Sequence, residues 1–270
     1  MREFWEFIKK VHRYRYLLVQ MTKREIANRY RGSALGFVWA FLNPLLMLAV
    51  YTFVFSVVFK ARWGEMGVEE SRVDFAIVLF AGLFIFNLFA EILNRAPYLV
   101  LSNTNYVKKV IFPLELLPLI SLGTVLFHSG LSLLVLLLVQ FVFKGYIPWT
   151  TVYIPVVVLP VLLAGLGVSW LLSALTVYLR DIAQVTGLLT TILLFVSSVF
   201  FPISALPAKY QLVIYLNPLA LIISESRKVL VFGQYPDWNI LILTLSLGTL
   251  IALAGYWWFQ KARKGFADVL

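Results

Sequence analysis

Residues 116–143 read LLPLISLGTVLFHSGLSLLVLLLVQFVF, 28 consecutive positions without Asp, Glu, Lys or Arg. A helix needs roughly 20 apolar residues to cross about 30 Å of hydrocarbon, so this stretch is a membrane span. Further charge-free runs cover Ala34–Phe59, Phe75–Ala90, Gly145–Leu179, Ile182–Ala208, Tyr210–Ser224 and Trp238–Gln260. The 270-residue chain as a whole is 61% hydrophobic and 13% charged, against roughly 45–50% and 25% in soluble domains. No soluble globule of this size hides that much apolar surface. The fold expected is therefore an all-α integral membrane protein.

Topology is set by where the charges fall. The run Tyr210–Ser224 carries Asn217-Pro218 at its centre. Proline removes a helix donor and restricts the residue before it, so residues 200–231 are expected to be a re-entrant or surface-lying element on the outer side. Six spans with both termini cytoplasmic then place 16 of the 23 Lys and Arg inside and seven outside, which agrees with the positive-inside tendency. The expected organisation is an interface segment at 1–33, a six-span domain at 34–260 and a cytoplasmic tail at 261–270. In the first segment Phe4, Phe7, Val11, Tyr14, Leu18 and Met21 recur at spacings of three and four, one face of an amphipathic interface helix. It is too long for a cleaved leader.

The spans exclude several functions. There is no cysteine and there are only two histidines, His12 and His128, which leaves little for metal chemistry. His128 alone is ionisable at depth, and it reads as a helix–helix hydrogen bonder. Ion-coupled transport and embedded catalysis both want charged or coordinating groups near the bilayer middle. Glu91, Glu115, Asp74 and Asp181 sit at membrane edges instead, and no phosphate loop G-x-x-x-x-G-K-[ST] occurs. The chain carries no cofactor and cannot fuel itself, so uphill transport needs a partner. The net charge of +10 belongs to a membrane surface, not to nucleic acid. Gly32 and Gly36 form a G-x-x-x-G entry to the first span, compatible with close helix packing.

Residues 102–113 read SNTNYVKKVIFP. Asn103, Thr104 and Asn105 are good helix caps, and Pro113 stops the helix they begin, leaving about two turns over Tyr106–Phe112. The apolar tips of this inner helix need a cover. A partner protein and the membrane surface both fit that need.

Four stretches, in order, carry a resemblance. They are Lys23-Arg24-Glu25-Ile26 through Tyr30-Arg31-Gly32-Ser33-Ala34-Leu35-Gly36 into Trp39 and Asn43-Pro44; Tyr106–Glu115; Tyr178-Leu179-Arg180-Asp181-Ile182; and Leu216-Asn217-Pro218-Leu219 with Arg227 after them. The chain resembles the membrane subunit of ABC exporters that move lipid-linked polysaccharides, the family of O-antigen, teichoic-acid and capsule exporters. The resemblance implies a permease without catalytic residues, working as two copies with two copies of a cytoplasmic ATPase that binds ATP and Mg. It implies that Asn105, Tyr106, Val107, Lys108, Lys109, Val110, Ile111 and Phe112 form the ATPase-docking coupling helix, with Arg180 and Asp181 nearby. It implies an undecaprenyl-diphosphate glycan as substrate, in the inner (plasma) membrane, and short outer helices matching 200–231. ABC exporters of drugs or small lipids share the architecture, but often carry a larger extracellular insertion.

Two further expectations concern the substrate. Phe37, Phe41, Tyr51, Phe55 and Phe59 fall near one face of the first span, and Phe200 and Phe201, toward the outer side, are similar candidates. Sugar C–H faces pack on aromatic rings, as bases stack on tolerant platforms; facing lipid or a neighbouring helix is the other use of such a stripe. Arg29, Arg31 and Arg95 lie where a diphosphate headgroup would enter, suited to guanidinium pairing. Ordinary positive-inside placement accounts for the same arginines. Trp149, Trp238, Trp257 and Trp258 read as interface anchors.

Overall fold

The computed structural model describes residues 2–54, 72–108 and 112–270. Among them every regular element is helical. Four helices are long and apolar enough to cross a membrane: α4 (Arg72–Arg95), α7 (Leu117–Lys144), α8 (Ile154–Tyr178) and α12 (Trp238–Ala262). Two shorter apolar helices join them, α3 (Trp39–Thr52), led by a 3-10 turn at Gly36–Val38, and α9 (Ile182–Val196). The segment 200–231 holds α10 (Ala208–Tyr215) and α11 (Pro218–Leu230). The remaining helices lie at the basal end of the bundle: α1 (Arg2–Arg13), α2 (Arg15–Tyr30), α5 (Tyr98–Leu101), α6 (Thr104–Lys108) and α13 (Phe266–Val269).

The centre is α4. Its sequence is apolar on every side, the mark of a helix buried all round, and 83% of its apolar stretch is buried against 28% to 39% in the other three long helices. At the distal end Lys144 closes α7 by pairing with Asp74 of α4 at 2.8 Å. Gly145 then turns the chain with φ +77°, a left-handed helix cap. Helices α8 and α12 approach through glycine. A Cβ on Gly248 would lie 2.6 Å from the Pro160 carbonyl oxygen, and one on Gly167 or Gly255 would overlap the facing backbone. Helices in lipid associate by such close contact. Gly32 and Gly36 do not serve this purpose, contrary to the sequence expectation. Both have positive φ, +86° and +50°, with nothing near them, and they turn the chain between α2 and α3.

The run Ile182–Ala208 is not one helix. It stops at Val196, about 22 Å long at 1.5 Å per residue, and unwinds through Ser198, whose φ is +49°. The reason lies in α11. Asn217 caps that helix by accepting from Leu219 N at 3.0 Å, with Pro218 at its first position, while its Nδ2 donates to Ser197 Oγ at 2.9 Å. Arg227 donates to the carbonyls of Ser198 at 3.0 Å, Val199 at 2.6 Å and Val78 at 3.2 Å. Unwound backbone needs such partners where water is scarce. The far end of α11 is tied down too, because Thr150 and Gln140 donate to the carbonyls of Val229 and Leu230. The segment 200–231 is thus broken at Asn217-Pro218 into two short helices.

The apolar face of the N-terminal segment packs on protein. Phe7 is buried against Trp170 and Tyr256, with ring centroids 5.4 and 4.8 Å away. Val11, Tyr14, Leu18 and Met21 join the same basal cluster. The helix breaks at Tyr14, and α2 then runs along α7, where Thr22 Oγ1 donates to Ile120 O.

Candidate functional site

Helix α6 begins at Thr104, two residues before the helix expected from the sequence, because Asn103 turns the chain. Its Nδ2 donates to Leu99 O at 2.9 Å and its carbonyl accepts from Tyr106 N at 2.9 Å. Asn105 is exposed. Tyr106 and Phe112 stack on each other at 4.8 Å and lean into the basal apolar cluster. Of the other expected docking residues, Val107 and Lys108 belong to α6, and Lys109, Val110 and Ile111 lie outside the described residues. Arg180 and Asp181 form the exposed turn between α8 and α9. Tyr178, just before that turn, packs on Phe266 of α13, and α13 in turn touches α6.

A polar cluster lies where α2, α4 and α7 meet. Glu25 and Arg29 are four residues apart on α2, as are Glu91 and Arg95 on α4. The structure exchanges the partners across helices: Arg29 pairs with Glu91, and Arg95 with Glu25. Arg95 also lies 3.4 Å from Glu91. Arg29 Nη1 lies 2.8 Å from His128 Nδ1, and the same ring nitrogen is 3.5 Å from Glu91 Oε1. His128 Nε2 is buried without a hydrogen-bond partner among the described residues. Beside these groups lies a cavity of about 170 Å3 lined by Arg29, Glu91 and His128 with Asn43, Asn87 and Ser132. A more open cavity of about 780 Å3 continues past Glu25, Asn94 and Arg95.

Two of the three expected headgroup arginines, Arg29 and Arg95, thus come together. Each already has a carboxylate, so the four side chains sum to no net charge. Arg31 stands apart and exposed beyond the end of α2. Sequence reasoning left Glu91 at a membrane edge and gave Glu25 no role. The repeated four-residue spacing was the available signal, though it reads equally as two pairs within helices.

The aromatic stripe is not one open surface. Phe37 is 44% exposed and meets Tyr30, Phe41 and Phe127. Phe41 and Tyr51 pack against the central core, Phe200 is buried, and Phe201 packs beside it. Tyr51 and Phe200 meet at 5.8 Å. Phe55 and Phe59 lie outside the described residues. Exposed Trp149, Tyr235 and Trp238 cluster with Tyr153 at the distal end, and Trp257 and Trp258 face outward near the basal end, the two-belt arrangement of membrane helices.

Arg227 belongs to the fourth stretch that carries the family resemblance, but sequence reasoning assigned it no role. Its guanidinium lies across Gly82, where any side chain would overlap it.

Among the described residues, four helices long and apolar enough to cross a membrane define a multi-pass membrane protein. The chain belongs to the ABC-2 type transporter family, which matches residues 16–231. It is similar to the O-antigen export system permease protein RfbA of Myxococcus xanthus, with 28% identity over 97% of this chain and 98% of that one. The Klebsiella pneumoniae protein of the same name is 26% identical over 94% and 95%. The polysialic acid transport protein KpsM of Escherichia coli is 24% identical over 85% and 86%.

Proposed function

We propose that this chain is the permease subunit of an ATP-driven exporter of lipid-linked polysaccharide, with an O-antigen-type glycan on undecaprenyl diphosphate as cargo. The observation that carries the reading is similarity over nearly the whole length to permeases named for O-antigen export. Two copies pair with two copies of a cytoplasmic ABC ATPase, which binds ATP and Mg. The membrane is the inner (plasma) membrane, and the basal end, with both termini, faces the cytoplasm. Six spans result when α3 and α9 are counted with the four long helices.

In this reading the ATPase engages residues 105–112 and the Arg180-Asp181 turn. The lipid diphosphate enters at Arg29, Arg31 and Arg95. Because Glu91 and Glu25 already neutralise two of these arginines, the headgroup binds by displacing carboxylates, and its departure restores the original pairs. That makes entry reversible instead of a trap. Phe37, Phe41, Tyr51, Phe55, Phe59, Phe200 and Phe201 supply the apolar faces along which sugar rings slide.

The test is reconstitution with the ATPase in proteoliposomes loaded with lipid-linked glycan. Export that requires ATP hydrolysis is expected, and export driven by a proton or sodium gradient without nucleotide would refute the reading. The double substitution Val107→Asp, Ile111→Asp should abolish ATPase pull-down while leaving membrane insertion intact. Similarity to KpsM supports a second reading, capsular polysaccharide as cargo, which the same vesicles distinguish by the glycan they accept.

A further inference from the structure

Glu115 lies directly after the docking segment, beyond Pro113, and its side chain is fully buried. It is held from two directions. Lys10 Nζ of α1 donates to one carboxylate oxygen at 2.8 Å, and Arg263 Nη1, just past α12, donates to the other at 2.8 Å. The Glu115 backbone oxygen accepts from Trp170 Nε1 of α8 at 3.0 Å. One residue thus joins four separate parts of the chain at the basal end.

The apolar contacts around it cannot supply the same constraint. Phe7 against Trp170 and Tyr256, and Phe266 against Phe259 and Tyr178, are ring contacts with broad preferred geometries. They hold the surfaces together with less strict orientation than ionic hydrogen bonds. Charge-assisted hydrogen bonds fix distance and angle, and a buried ionic group is best attested as a device that fixes register.

We propose that Glu115 is the positioning residue that makes the docking segment, the N-terminal helix and the C-terminal segment move as one lever. This rests on the reading of residues 105–112 as the ATPase contact. A stroke delivered to α6 passes through Glu115 to α1 and to the end of α12. Without the carboxylate the same surfaces stay in contact, but the stroke is lost as slippage.

Glu115→Gln keeps the shape of the side chain and removes its charge. The two cations it releases are 40% and 37% exposed and can turn to water, so folding should survive. In proteoliposomes containing permease and ATPase, we expect Glu115→Gln to keep ATPase association and ATP hydrolysis in the wild-type range. Glycan exported per ATP should fall roughly tenfold, within the span of measured couplings between sites. Lys10→Met combined with Arg263→Met should reproduce this, and it serves if Glu115→Gln fails to insert. Unchanged export per ATP in these variants would overturn the proposal, whereas a wild-type complex that exports nothing on ATP would instead refute the transport reading. The native chain has no cysteine, so spin labels at Lys9→Cys and Asp268→Cys report the lever without any transport. One narrow interlabel distance is expected, broadening when Glu115→Gln is added; an unaltered distribution would also overturn the proposal.

Discussion

Replacing Arg227 by methionine removes three donors but none of the carbonyls they serve. Those of Ser198 and Val199 belong to unwound chain, where no helix offers another partner, and an unsatisfied buried acceptor costs about 1–3 kcal/mol. Arg227→Met is therefore expected to destabilise the protein by roughly 3 kcal/mol, read as a lowered unfolding midpoint in detergent. Gly82→Val should act similarly by displacing the guanidinium. Near the other end of α4 the exchanged pairs invite a charge swap. Glu25→Arg and Arg95→Glu should each weaken the contact between α2 and α4, and the double substitution should recover about 0.5–3 kcal/mol in a double-mutant cycle. Strict additivity would mean that this pair contributes nothing.

At the scale of elements, the crossing of α8 and α12 is the tightest contact in the bundle. Gly255→Val must push a side chain into the backbone at Gly167, which no rotamer relieves, so a loss of at least about 1–3 kcal/mol is expected in unfolding measurements. Gly187→Ala is the control. That glycine lies within α9 with open space around it, and alanine there should be neutral or stabilising by up to about 1 kcal/mol. The same elements show what the sequence could reveal. Helices α4, α7, α8 and α12 were legible because lipid demands long uncharged runs. The stop in α9 was not, since Ile182–Ala208 contains no charge to mark it; the helix ends because Asn217 and Arg227, far along the chain, engage the backbone and Ser197 hydroxyl just beyond it. Gly32 and Gly36 matched a packing motif and turned out to be turn residues, while Gly248 and Gly255, two turns apart on one face, carried the packing without matching it. The candidate site was half readable: Arg29 and Arg95 were singled out as cations, but their carboxylate partners required knowing which helices meet.

For the whole molecule, the expectation is division of labour between this chain and an ATP-hydrolysing partner. In liposomes without that partner, the chain should accumulate no glycan against a gradient, and concentrative uptake or export by the chain alone would contradict the proposed function.

Helix α4 carries Asp74, Val78 and Gly82 toward one end of the bundle and Glu91 and Arg95 toward the other. Arg227 fastens α11 to the first set, and Arg29 fastens the N-terminal helices to the second. A single rod is thus pinned near both of its ends. Tilting it must disturb the two fastenings together, like a seesaw, with neither end free to shift without the other answering.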